Sequence, residues 1–137
     1  NPKTIIVFGR SLGTGVATYI SSKNMPDGLI LSTPFDSILE ISKSMYPTMP
    51  ISILLKHPFM STEYVKELSC PTIVLYGTED RIVPPENTLN LVKHFKQKPI
   101  LIEIVGASHN RIDSYSAYRD QIKNFIQATT SQANQPR

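Results

Sequence analysis

The sequence predicts an α/β protein, a parallel β-sheet with helices on both of its faces. Three observations carry this expectation. Four short runs rich in Ile, Val and Leu, from Thr4 to Phe8, Gly28 to Ser32, Thr72 to Tyr76 and Ile100 to Val105, are separated by stretches with helical spacing of apolar residues. Strands that alternate with helices join through right-handed crossovers into a parallel sheet, which places ligands at the carboxyl ends of its strands. Ser11, Asp80 and His109 each fall in the loop after one of these runs, so a single fold brings all three to one rim.

The first run, Ile5-Ile6-Val7-Phe8, is apolar without alternation, the pattern of a strand covered on both faces and not placed at a sheet edge. It leads into Gly9-Arg10-Ser11-Leu12-Gly13. A helix is expected from Leu12 to about Lys23, with Gly13, Gly15 and Ala17 letting it lie close on the sheet. Met25-Pro26-Asp27-Gly28 reads as a turn. The second run ends at Thr33-Pro34, where Asp36 is placed to cap a helix from about Ser37 to Met45. From Tyr46 to Met60, Pro47, Pro50 and Pro58 interrupt an apolar stretch, which calls for short helical pieces. A further helix is expected from Thr62 to Leu68, capped by Ser61.

Pro71 opens the third strand, and Gly77-Thr78-Glu79-Asp80 follows as a loop. Pro84 and Pro85 suit the first positions of a helix that runs through Lys96 with Leu91, Val92 and Phe95 inward. After the fourth strand, Gly106-Ala107-Ser108-His109 is again a loop. Asp113 is placed to cap a last helix with Tyr115, Tyr118, Ile122, Phe125 and Ile126 on one face. Thr129 to Arg137 reads as a polar, frayed tail.

Composition narrows the class. At 137 residues the chain suffices for one core and not for two ordinary domains. With 40% hydrophobic and 18% charged residues it lies away from disordered compositions. The net charge of +3 is spread without a Lys/Arg block, which points to solvation and not to a nucleic-acid partner. A single cysteine, Cys70, excludes an internal disulfide and a cysteine-based zinc site. It is expected to pack before the third strand, and its solitary state favours a reducing, cytoplasmic setting. No apolar run approaches the roughly 20 residues of a transmembrane span, and the first residues lack the regions of a signal peptide.

Strand, glycine turn, serine and helix in that order make a nucleophile elbow, G-x-S-x-G, in which a strained backbone pushes the serine hydroxyl into the open. The flanking Gly9 and Gly13 are expected to relieve crowding at that corner. A serine hydroxyl is too weakly acidic to attack a carbonyl unaided and needs a base, the part that His109 can take near neutral pH. A carboxylate must then hold the imidazole ring, and Asp80 completes the chain order Ser, Asp, His. Asp36, after the second strand, is the rival acid, while Glu79 stands one position off. His57 and His94 read as surface or packing residues. Arg10 either steers an anionic substrate or braces the elbow through an ion pair. The turn lacks the glycine spacing and lysine of a phosphate loop.

Through Gly9 to Gly13, Tyr76-Gly77-Thr78-Glu79-Asp80-Arg81-Ile82-Val83-Pro84 and Gly106 to His109, the sequence resembles the α/β-hydrolases over essentially the whole chain up to the tail. The resemblance implies an α/β-hydrolase-like fold in which residues 1–128 are the C-terminal part of the domain, with four C-terminal strands present and the N-terminal strands missing. Segment 46–60 is then lid-like and 129–137 a tail. The resemblance further implies Ser11 as nucleophile, His109 as proton shuttle, Asp80 as its orienting acid and the Leu12 N–H as an oxyanion donor. Leu54 and Phe59 are expected to line an acyl pocket if the lid covers the nucleophile, or to pack on the core if it does not.

The implied activity is acyl transfer on an ester or thioester, either a small acyl ester or an acyl-protein, with no metal and no organic cofactor. A catalytically inactive binding module and a serine peptidase of the same fold stand as alternatives, since similar small-lid members include depalmitoylases, esterases and peptidases. In one respect the chain departs from the family. The second oxyanion donor of such hydrolases comes from a loop after an early strand, which is expected to lie before Asn1 or on a separate chain. The N-terminal half of the domain is therefore an expected partner. Loss of one donor costs about 10²–10³ in rate, so the segment alone is expected to be poorly active.

Overall fold

The computed structural model describes residues 4–36 and 60–135. Its strands β1 (Ile6–Arg10), β2 (Gly28–Ser32), β3 (Thr72–Gly77) and β4 (Ile100–Ile104) form one parallel sheet in the order β1-β2-β3-β4. The described helices are α1 (Gly13–Asn24), α2 (Ser61–Tyr64), α3 (Pro85–Val92) and α4 (Ser116–Ala133), with 3-10 turns at Val65–Glu67 and Ile112–Ser114.

Successive strand residues point to opposite faces, so an all-apolar strand needs cover on both. β2 shows this directly, for all five of its residues are buried. Leu29 and Leu31, with Val74 of β3, meet Ala17 of α1, Val65, Leu68, Cys70, Leu91 and Phe95 on one face. Ile30, with Ile73 and Leu75, meets Ile104, Ala107, Ile112 and the α4 residues Tyr118 and Phe125 on the other. The expected helices on both faces are present.

Tertiary context moves several boundaries. β1 starts two residues later than expected and runs on to Arg10, because Gly9 and Arg10 continue the ladder to Leu31 and Ser32. Against expectation, β1 is an edge strand of the described sheet, and Phe8 is 54% exposed. Ser61 is not a cap. It is the first residue of α2, its buried hydroxyl has no hydrogen-bond partner among the described residues, and the expected helix tightens into a 3-10 turn after Tyr64. α3 begins at the expected prolines but its α-helical part stops at Val92. Asp113 does not cap α4, whose N-cap is Tyr115, because the Asp113 carboxylate is engaged by Arg10. The tail expected to fray from Thr129 continues α4 to Ala133, with Thr129 buried.

The helix expected from Ser37 to Met45 and most of the lid-like segment, with His57, Leu54 and Phe59, lie outside the described residues.

Candidate active site

The sheet delivers three loops to one rim, and local geometry shapes each of them. At the end of β1 the chain turns so sharply that Ser11 has φ 51°, a left-handed conformation that strains a non-glycine residue. Hydrogen bonds hold that strain in place. Ser11 N–H donates to Ser32 O at 3.0 Å, while Thr14 donates to Ser11 O through its backbone N–H at 2.9 Å and its hydroxyl at 2.6 Å. Gly9 makes the turn possible, since a Cβ there would stand 2.6 Å from both the Ala17 Cβ and the Gly13 carbonyl oxygen. Gly13 does not share this role, for a Cβ on it would meet nothing among the described residues.

The acid loop after β3 and the base loop after β4 are tied to each other. Thr78 N–H donates to Ile104 O at 3.2 Å, Glu79 N–H to Ala107 O at 3.1 Å, and Gly106 N–H to the Thr78 hydroxyl oxygen at 2.8 Å. Gly106 itself adopts φ 79°, and Tyr115 Oη donates to its carbonyl at 2.9 Å.

These loops align Ser11, His109 and Asp80 in one hydrogen-bonded chain. His109 Nδ1 lies 2.7 Å from Asp80 Oδ2, and His109 Nε2 lies 3.0 Å from Ser11 Oγ. His109 and Asp80 are buried while Ser11 is partly open to solvent. A buried carboxylate requires hydrogen bonds on both oxygens. Asp80 Oδ1 receives them from the backbone N–H groups of Ile82 at 2.9 Å and Val83 at 2.8 Å. The arrangement allows His109 to accept a proton from Ser11 Oγ while Asp80 holds the ring in the Nδ1–H tautomer. Leu12 N–H, the expected oxyanion donor, gives no backbone hydrogen bond among the described residues.

The rivals fall elsewhere. The Asp36 carboxylate accepts from Asn87 Nδ2 at 2.9 Å and Asn90 Nδ2 at 2.7 Å, so it anchors α3 to the end of β2. Glu79 is exposed. His94 Nδ1 is 2.9 Å from Asn90 O on its own turn of chain, away from the serine. Cys70 is buried before β3, where burial raises the thiol pKa and makes it a poor nucleophile.

Two features had no sequence signal. Thr33, a β-branched residue, takes φ 51° beside the elbow, where its N–H donates to Leu75 O at 2.8 Å. Buried Tyr118 of α4 donates to Ser32 Oγ at 2.9 Å, and desolvation keeps its phenol pKa raised despite that bond and the nearby Arg10 charge. The amides that hold Asp80 could have been anticipated, since the short loop to Val83 places them beside its carboxylate.

A serine at a strand-to-helix turn, with an aspartate and a histidine on the loops after β3 and β4 of a parallel sheet, is an arrangement found in the α/β-hydrolases. The chain belongs to the serine hydrolase family described as FSH1, which matches residues 4–109. It is 32% identical over 110 residues to the uncharacterized protein Rv2307c of Mycobacterium tuberculosis, covering 80% of this chain and 39% of that one. It is 26% identical over 126 residues to the human alpha/beta hydrolase domain-containing protein 17C, covering 92% of this chain and 37% of the relative. The chain thus spans about two fifths of the length of these curated relatives. Among solved structures it is similar to MGS-MChE2, an alpha/beta hydrolase enzyme from a lagoon-sediment metagenome. The TM-score is 0.69 at 16% identity, over 92% of this chain and 62% of that one.

Among the described residues no helix is long and apolar enough to cross a membrane, and no group of three His, Cys, Asp or Glu side chains could hold a metal ion.

Proposed function

We propose that the protein is a serine hydrolase that acts by acyl transfer on an ester or thioester. The observation that supports this reading is the unbroken chain from Asp80 through His109 to Ser11 Oγ, with spacings of 2.7 and 3.0 Å. Ser11 Oγ attacks the acyl carbon as His109 Nε2 takes its proton, giving a tetrahedral oxyanion next to the Leu12 N–H. Collapse breaks the bond to the leaving oxygen or sulfur, which receives the proton from His109. Water, deprotonated by His109, then attacks the acyl-serine, and the acid leaves as Ser11 regains its proton. Asp80 holds the ring and stabilises the imidazolium as it forms.

A fluorophosphonate probe on the full-length protein tests the assignment. Labelling is expected at Ser11 and is expected to vanish in Ser11→Ala with the fold retained. Robust labelling of Ser11→Ala at another serine would move the nucleophile elsewhere. No labelling of the unmodified protein would favour a binding module. The acyl-pocket reading of Leu54 and Phe59 rests on the sequence and is tested by a chain-length series of p-nitrophenyl esters. Polar substitution of either residue is expected to weaken turnover of medium and long chains while sparing acetyl esters. A uniform loss across lengths would assign them to packing.

A further inference from the structure

Arg10 is the last residue of β1 and the covalent neighbour of Ser11. Its guanidinium reaches across to the base loop, where Nη2 donates to the backbone carbonyl of His109 at 3.1 Å and Nη1 donates to Asp113 Oδ2 at 3.2 Å. We propose that Arg10 is a positioning residue, a clamp that holds the base at its working distance from the nucleophile; this rests on the hydrolase reading above.

The remaining ties of the base loop explain why such a clamp is needed. Glu79 N–H to Ala107 O, Gly106 N–H to Thr78 Oγ1 and His109 Nδ1 to Asp80 Oδ2 bind the loop to the acid side, and Tyr115 Oη to Gly106 O and Arg111 N–H to Ser108 O bind it to itself. Among the described residues, the hydrogen bonds joining the base loop and the turn after it to the elbow are the two from Arg10 and the His109 Nε2 to Ser11 Oγ contact. The last of these breaks in each turnover, when His109 delivers its proton to the leaving group. The Arg10 contacts persist through that step and keep the imidazole within reach of the serine.

The two contacts divide the work. The Arg10 and Asp113 side chains are 37% and 56% exposed, and an ion pair so open to water adds little stability of its own. It restricts where the guanidinium lies. The planar fork offers separate N–H groups to the two acceptors, which a lysine ammonium on a flexible stem does not reproduce in one fixed geometry. Tyr118 stabilises the same corner from below through Ser32, the register partner of Arg10.

The competing role for Arg10, binding an anionic substrate, gives a different kinetic signature. Arg10→Gln, Arg10→Lys and Asp113→Ala in the full-length protein are compared by turnover of a neutral and an anionic p-nitrophenyl ester, and by hydrogen exchange of residues 106–114. Misplacing a reacting group by about 1 Å costs up to about 10²-fold, so Arg10→Gln is expected to lower kcat about 10- to 100-fold on both esters. KM is expected to stay within about twofold, as befits an interaction that acts on the transition state. Amides of the base loop should exchange faster while the C-terminal turns of α4 do not change. Arg10→Lys should restore part of kcat, and Asp113→Ala should show a smaller loss with the same exchange pattern.

A rise in KM confined to the anionic ester, with kcat retained, would overturn the clamp in favour of substrate binding. Unchanged kcat and unchanged exchange in both Arg10→Gln and Asp113→Ala would overturn it as well, and the second variant decides if the first does not fold. If the unmodified protein neither takes a fluorophosphonate nor turns over an ester, the hydrolase reading fails, while the exchange arm still reads the clamp.

Discussion

Gly77, the last residue of β3, packs so closely on Ala107 that a Cβ added to the glycine would overlap the Ala107 carbonyl group. That carbonyl accepts from Glu79 N–H, and Ala107 stands two residues before His109, so this close approach sets how near the acid and base loops can come. Gly77→Ala is therefore expected to destabilise the fold by about 1–3 kcal/mol through overpacking. It should also slow fluorophosphonate labelling under conditions where the protein remains folded. A thermal melt and a labelling time course on the same sample check both parts; a stable variant labelled at the ordinary rate would show that the base loop moves freely.

Asp80 and Asp36 both follow strands, but their carboxylates face different partners. Asp80→Asn is expected to cut turnover by about 10³–10⁴-fold, since the amide favours the wrong imidazole tautomer. Asp36→Asn should instead loosen α3, lowering stability with turnover largely kept, because it disturbs the bonds to Asn87 and Asn90. Steady-state kinetics beside denaturant unfolding separates the two. A crippled Asp36→Asn with a near-normal Asp80→Asn would exchange their roles.

Tyr76 is expected to make stability fall at alkaline pH. Its phenol donates to Glu103 Oε1 at 2.8 Å, and its pKa is pushed up to about 12, first by burial and then by the hydrogen bond and charge of Glu103. A folded-state pKa above the unfolded value of about 10 contributes stability that is complete below pH 10 and is lost as pH rises toward 12. Urea unfolding at a series of pH values should show this decline, and Tyr76→Phe should flatten it. An equal slope in both proteins would place the titrating group elsewhere.

Among the described residues β1 lies at the sheet edge, where backbone and apolar side chains are exposed together. Ile5 is 52% and Phe8 54% exposed, and Val16, Tyr19 and Ile20 of α1 are each more than 40% exposed. An apolar, unpaired strand edge templates association. The 137-residue chain expressed by itself is expected to self-associate, and Phe8→Lys should shift it toward monomer in sedimentation velocity. A monomeric chain with a cooperative melt would count against this.

Much of the protein was legible in the order of its residues. The unalternated apolar run of β2 reads as a strand buried on both faces, and Leu29, Ile30 and Leu31 are buried as that pattern requires, whereas the similar run of β1 lies at the edge of the described sheet with Phe8 exposed. The turn at Gly9 to Gly13 and the loops holding Asp80 and His109 were legible because each is short and demands particular residues at fixed spacing. In a parallel sheet, loops that follow strands open on one rim, so the convergence of the three side chains was implied before any distance was known.

What the sequence alone did not separate were choices between residues of the same kind, because hydrogen-bond partners far apart in the chain decide them. Asp36 and Asp80 are both carboxylates after strands; Asn87 and Asn90 of α3 claim the first, and the amides of Ile82 and Val83 with His109 claim the second. Asp113 has the residue type of a helix cap, yet the reach of Arg10 across the rim takes its carboxylate. The same reach gives Arg10 its ion pair with Asp113, the kind of contact that the bracing reading of this residue calls for. Local sequence by itself determined which elements form and which chemistry each loop can offer, because backbone propensity and apolar period act within a few residues. The partners of each charged group were decided by the tertiary structure alone, since a carboxylate or a guanidinium follows the three-dimensional geometry of its acceptors and donors and not its place in the chain.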